Sequence, residues 1–260
     1  MGRDKKIPGW SAFLLVALFL MFNSLLLVNG AQRPNSLAKD EVINQFLKEK
    51  DIAQKEMTLR TITQIPDSGQ RLLEIASSSH DINTKYLAIR GLGEIKYHPA
   101  KSFLIKSLNH SHPWIRANAA RALGDMGISE AIPTLITTLK KEKNGGVIEQ
   151  ISLALGNLQA MESLPELKRT TLRLKGFHSS QTLVWVIQAI GRLGSEAEVP
   201  FLASYLGHKD SYVTITAAEG IQHITGADFG FPLGPGLNNP DPAIQKASFW
   251  WVQNKSRYQR

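Results

Sequence analysis

From Trp114 to Leu139 the chain reads WIRANAARALGDMGISEAIPTLITTL. Ile115, Ala119, Ala122, Leu123 and Met126 recur at spacings of three and four, which places them on one face of an α-helix. Gly124 and Gly127 are read as closing that helix where the chain must turn. Ser129 then stands where a cap for a second helix belongs, and Pro133 falls in or near its first turn, where a missing N–H is tolerated. Leu135, Ile136 and Leu139 form the inward face of this second helix, and the alanines at 117, 119, 120 and 122 let neighbouring helices approach closely. The pattern predicts a pair of short amphipathic helices.

The same pattern recurs. Gly93 in RGLGEI, Gly156 in LALGNL and Gly191 in QAIGRL match Gly124, at spacings of 31, 32 and 35 residues. Continuing the period reaches Gln222 in EGIQHI and Gln253 in WWVQNK, and going backwards it reaches Thr63 in RTITQI. These are called landmark positions below. Pro133, Pro165 and Pro200 each follow their glycine by nine residues, and Leu135, Leu167 and Leu202 follow two later. SEAE at Ser195 to Glu198 has the spacing of a capping box. A period of this length signals a solenoid, in which each helix pair buries its apolar face only against its neighbours.

WIRANAARALGDMGISEAIPTLITTL resembles the HEAT-like repeat, in the short variety found in phycobilisome lyases and in many bacterial proteins. The resemblance covers about residues 51–260, and it implies an all-α fold, a right-handed α-solenoid of about six HEAT-like helix-pair repeats. SLAKDEVINQFLKEKD reads as an opening helix, so residues 32–50 form an N-terminal capping helix and linker ahead of the solenoid at 51–260. GFHSSQ around Phe177 lengthens the fourth repeat, and TGADFGFPLGPGLNNPDPA reads as a loop crossing to a last helix. That helix carries Phe249, Trp250 and Trp251, read as a cap on the exposed apolar end. TGADFG and WWVQN are similar to the closing segment of exported bacterial HEAT-like proteins.

Residues 1–31 differ from the rest. Arg3, Lys5 and Lys6 precede an apolar stretch from about Trp10 to Val28, with small residues after it. This is the pattern of a secretory signal, although the stretch approaches the length of about 20 residues that spans a bilayer. Two fates follow: cleavage near Gly30 or Ala31, or retention as an N-terminal anchor with its basic end cytoplasmic. Either one puts the repeats outside the cytoplasm, in the periplasm or anchored at the inner membrane. Any membrane contact is then confined to the uncleaved segment.

Composition narrows the chemistry. The 260 residues contain no cysteine, which removes disulfides, thiolate metal sites and a cysteine nucleophile. Leaving out residues 1–31, 27 basic and 21 acidic residues give a net charge of +6. That is mildly basic, with no run of five like charges and no aromatics interleaved with the basic residues, so nucleic acid is not the expected partner. None of the seven histidines is followed by glutamate, so the His-Glu iron sites that the resemblance to deoxyhypusine hydroxylases would imply are absent. His110 and His112 in NHSHP read as a polar turn, not as metal ligands. No hydrolase elbow, phosphate loop or zinc-protease motif occurs. The sequence gives no catalytic residue, no metal and no cofactor.

What it offers is a surface. Arg60, Arg90 and Arg121 stand three residues before their landmarks, and Lys85 and Arg116 stand eight before theirs. Equivalent positions align in a solenoid, so these form two basic ladders, together with Trp114 as an aromatic anchor. The ladders read either as a groove for a partner protein or as bridges between units, pairing with backbone carbonyls or with acids such as Asp81 and Asp125. The expected function is a non-enzymatic scaffold or adaptor holding a protein partner on the concave face. The alternatives are lyase-like or chaperone-like handling of a chromophore or cofactor, which the resemblance to phycobilisome lyases implies, and a structural envelope protein.

Overall fold

The computed structural model describes residues 36–174, 180–231 and 241–258. The expectations for residues 1–31, for the lengthening around Phe177 and for most of the loop before the last helix lie outside that range. Every described element is a helix or a turn, and among the described residues no helix is long and apolar enough to cross a membrane.

The chain divides into two compact units, with the boundary after Arg71. The first unit holds α1 (Ser36–Lys48) and α2 (Ile52–Thr63). Val42, Ile43 and Phe46 of α1 and Leu59 and Ile62 of α2 are buried at helical spacing. Lys55 lays its ammonium 5.5 Å from the centre of the Phe46 ring, and Lys39 donates to the Pro66 carbonyl at 3.2 Å.

The boundary falls within α3 (Gly69–Ser78). The second unit continues with α4 (Ile82–Glu94), α5 (Lys101–Ser107), α6 (Pro113–Asp125), α7 (Ile132–Lys141) and α8 (Gly145–Asn157). There follow α9 (Leu164–Leu174), α10 (Ser180–Leu193), α11 (Val199–Ala203), α12 (Ser211–Thr225) and α13 (Asp241–Asn254). The even-numbered helices α4 to α12 pack one on the next in sequence order and form a close-packed layer, while α5, α7, α9 and α11 lie against them as a second layer. Ile115, Ala119, Ala122 and Leu123 of α6, Ile151 and Leu155 of α8, Val186 and Ile190 of α10 and Ala217 and Ile221 of α12 are all buried, so the core runs along the unit between the layers.

The reason for the landmark glycines differs from the expectation. Gly124 does not close α6; it lies inside the helix, and a methyl group there would sit 2.7 Å from Cα of Ala154 in α8. Gly191 meets Cα of Gly220 at 2.8 Å in the same way. At Gly93, Gly124 and Gly191 consecutive helices of the layer nearly touch, while Gly156 stands at an ordinary 3.9 Å. The partner is the small residue two places before the next landmark, Ala122, Ala154, Gly220 and Ala189 respectively. The contact with Gly220 confirms Gln222 as the landmark of its repeat, although no glycine stands there. The turn is made three residues after the landmark by Gly127, at φ 71°. Lys96 and Gln159 take the equivalent place at φ 51° and 52°, a region that disfavours side chains.

Candidate functional site

The second layer enters each repeat through a turn of 3-10 helix, at His98–Ala100, Ser129–Ala131, Met161–Ser163 and Glu196–Glu198. Pro133 is in the first turn of α7, and Ser195 and Glu198 make both bonds of a capping box. The helices of the close-packed layer, and separately α2 of the first unit, start differently. Asp51, Asp81, His112, Asn144 and Asp210 each stand twelve residues before a landmark and accept from a backbone N–H of the helix they open. Two residues earlier stands a second acceptor. Glu49 and Glu142 each take two backbone N–H groups on one carboxylate oxygen, while His110 and His208 each take one on Nδ1. His110 and His112 thus serve the turn itself, each accepting at Nδ1.

This loop geometry explains the ladder at eight before the landmark. Arg116 Nη1 donates to the carbonyls of His110 (2.9 Å) and Ser111 (2.8 Å), in the loop that leads into its own helix. Its Nε and Nη2 grip Glu142, in the loop ahead of α8, at 2.7 and 2.9 Å. The side chains are 16% and 6% exposed. Burial pushes the Glu142 carboxyl up, but the Arg116 hydrogen bond, the N–H groups of Asn144 and Lys143 and the Arg116 charge together hold it below its usual range. Arg116 is fully engaged in joining two repeats. Lys85 is half-buried at the equivalent place one repeat earlier, where His110 holds the register position of Glu142. Burial, then the charges of Lys85, His112 and Arg116, lower the His110 pKa. Arg173 is a further structural clamp, donating to the carbonyls of Lys140 and Leu139 at the end of α7.

The ladder at three before the landmark is open at Arg60 and Arg121 and largely buried at Arg90. Arg60 is exposed on α2 of the first unit. In the second unit Arg90 pairs with Glu94 at 3.4 Å and Arg121 with Asp125 at 3.5 Å, each one helical turn on. Arg121 remains 56% exposed and lines a cleft of about 260 Å³ between α6 and α8. Trp114, Asn118 and Arg121 line it from one side, and Glu149 and Gln150 from the other. Trp114 is half exposed and its ring stands edge-on to Tyr86 of α4, centroids 5.4 Å apart. Burial raises the Glu149 pKa, offset in part by a hydrogen bond from Gln150.

Of the residues singled out from the sequence, Trp114 and Arg121 therefore share one cleft. Arg90 and Lys85 lie on the neighbouring helix α4, and Arg116 of α6 is spent on the loops. A second cleft, of about 240 Å³ between α10 and α12, carried no signal in the arginine pattern. At the end of the unit Ala243 and Ala247 are the buried residues of α13, Trp250 meets Phe229 and Tyr258, and Phe249 stays 64% exposed. Among the described residues no three His, Asp or Glu side chains gather as a metal cage would require.

Two layers of short helices repeating about every 31 to 35 residues, joined at small-residue contacts, define an all-α solenoid of HEAT-like repeats. Residues 69–156 match the family of HEAT repeats. The repeats are similar to those of phycocyanobilin lyase subunits. Phycocyanobilin lyase subunit alpha of Thermosynechococcus vestitus is 31% identical over 142 residues, which are 52% of this chain and 51% of that protein. The chain spans about half the length of the curated relatives it matches. Among solved structures, the complex of CpcE and CpcF of phycocyanin lyase from Nostoc sp. aligns with a TM-score of 0.51 at 14% identity, over 85% of this chain and 96% of that one. A HEAT-like repeats protein from the archaeon Thermococcus onnurineus aligns with a TM-score of 0.51 at 16% identity, over 85% of this chain and 99% of that one. These two likenesses describe the fold.

Proposed function

We propose that the protein is a non-enzymatic binding scaffold that holds a segment of a partner protein across the close-packed layer, anchored in the cleft of Trp114 and Arg121. The observation that carries this reading is the cleft itself. It combines a half-exposed indole, a guanidinium and the polar side chains of Asn118 and Gln150 on rigid helices. Aromatic and arginine anchors of this kind dominate binding energy at protein interfaces. The reading also places the repeats outside the cytoplasm, delivered or tethered by residues 1–31, with the basic N-terminus retained inside.

The similarity to phycocyanobilin lyase subunits favours a second reading, in which the scaffold handles a chromophore. One experiment separates the two. The full chain and its Trp114→Ala variant serve as bait in native extract, and the eluates are examined by mass spectrometry and by absorbance beyond the tryptophan band. A protein held by the parent and lost by the variant, without visible absorbance, supports the scaffold. A co-purifying pigment supports the second reading, and equal capture by both baits refutes the Trp114 anchor. Changing Arg60, Arg90 and Arg121 to serine in a further variant tests the ladder at three before the landmark in the same assay.

A further inference from the structure

The second cleft lies between α10 and α12, lined by Gln188, Arg192, Thr216, Glu219 and His223 over a floor formed by Gly191 and Gly220. Gln188 and Glu219 both stand three residues before their landmarks, the register that carries Arg90 and Arg121 earlier in the chain. Equivalent positions on neighbouring helices lie side by side, and these helices approach so closely that a methyl group at Gly191 would sit 2.8 Å from Gly220. Among the described residues, the buried side-chain oxygen of Gln188 accepts no hydrogen bond. A carboxyl group and an amide oxygen therefore face a common narrow space, and both can only be satisfied there by a donor.

We infer that this cleft receives the guanidinium group of an arginine on the bound protein segment, held between the Glu219 carboxylate and the Gln188 side-chain oxygen. A guanidinium is a planar fork with five N–H donors, so one group can serve two acceptors on different helices, and it is less strongly hydrated than an ammonium. The glycine floor leaves depth for its alkyl stem. The Glu219 pKa is raised by burial alone, the condition of a carboxyl group that a bound cation would relieve. Arg192 on α10 and His223 on α12 also line the cleft, and both are exposed.

The inference rests on the reading of this layer as a protein-binding surface, and it adds polarity to it. Guanidinium groups stand at three before the landmark on α4 and α6, largely buried at Arg90 and open at Arg121, and acceptors occupy that place on α10 and α12. The fitting segment carries an acidic residue over Arg121 and an arginine over Glu219. Three helix steps of about 8–10 Å separate those positions. At about 3.3 Å per extended residue, the acid and the arginine stand about seven to nine residues apart.

The cleft is testable without a partner. The full chain, carrying a carbon-13 label in its glutamate carboxyls, is titrated with N-acetyl-arginine-N-methylamide and with its neutral citrulline isostere, its lysine counterpart and free spermidine. The arginine probe should move the Glu219 resonance saturably and bind about tenfold or more tighter than the citrulline analogue. Glu219→Gln should abolish that binding with the circular dichroism unchanged, Gln188→Leu should weaken it severalfold, and Trp114→Ala should leave it intact. Binding should weaken as pH falls through the raised titration of Glu219, also in a His223→Gln background. An unmoved Glu219 resonance overturns the inference, as does equal response to citrulline. Equal binding of lysine or spermidine replaces the guanidinium site with a general cation site and also overturns it. Because no partner is present, this result and the Trp114 capture result fail independently.

Discussion

Arg116→Met removes the clamp between the loops ahead of α6 and α8 while keeping most of the side chain's volume. Two carboxylate contacts at 2.7 and 2.9 Å and two carbonyl contacts at 2.9 and 2.8 Å are lost. Removing one partner of a buried ion pair costs about 3–5 kcal/mol, because the remaining charge is left without compensation. Glu142 keeps the N–H groups of Lys143 and Asn144, and Arg116 is 16% exposed, so the lower end, about 3 kcal/mol, applies. At about 2–4 °C per kcal/mol for a unit of this size, the melting midpoint falls by about 6–12 °C. Far-ultraviolet circular dichroism during heating and urea titration reads both quantities. A Glu142→Gln partner variant removes the stranded charge, so the double variant should be more stable than the sum of the single losses by about 1.5 kcal/mol or more.

The pH dependence supplies a second check. The Glu142 pKa is lowered in the folded chain from its usual 4.5. A depressed carboxylate contributes stability that is complete above the unfolded value and is lost as pH falls through the folded one. The advantage of the parent over Arg116→Met should therefore be constant near neutrality and shrink below about pH 4.5. A loss under about 1 kcal/mol, strict additivity in the double variant, or a difference that ignores acid would each refute the argument.

Three further outcomes follow from the same register. His110→Glu should place a carboxylate where Glu142 sits one repeat later, facing Lys85. Thermal unfolding should show a gain of about 0.5–1 kcal/mol at neutral pH. The parent should also lose stability below about pH 6.5, the ordinary value from which its His110 is lowered, and the variant should not show that loss. Gly127→Ala should cost about 1–2 kcal/mol in urea titration through its positive φ, whereas Gln159→Gly, relieving the same conformation, should cost nothing or gain under about 1 kcal/mol. Gly124→Val should destabilise by about 3 kcal/mol or more, since its Cβ alone would stand 2.7 Å from Ala154 Cα and helix neighbours cannot part without opening the core.

The period of the chain was legible because apolar spacing and small residues repeat with it. The landmark at Gln222 is the clearest case, placed by counting alone and borne out by the Gly191–Gly220 contact. What the landmark glycine does was not legible, since a glycine near a helix end reads the same whether it turns the chain or admits a neighbour. Gly127 does the first and Gly124 the second. The caps escaped because their identities vary, and His112 is not a residue type that announces a cap. A recurring polar residue twelve before each landmark was the available signal. Glu142 could not be matched to Arg116 from the sequence, because the pair spans 26 residues and closes only when two loops stack. The clefts are likewise a product of stacking, each walled by two helices that are remote in sequence. Trp114 and Arg121 were visible because they are chemically conspicuous, whereas Gln188 and Glu219 are ordinary polar residues that nothing in the sequence singles out.

The loops ahead of the close-packed helices carry their cap and their second acceptor within three residues of one another. The N–H groups that these acceptors take belong to the same loop or to the helix it opens. A demand that recurs from repeat to repeat is a small residue two places before the landmark. An array assembled on that rule can lengthen, shorten or exchange whole repeats with no loop redesigned, so its span is a variable that can be matched to its cargo. Clamps such as Arg116 and Glu142 then act as optional fastenings, set at those joints where slack would be costly.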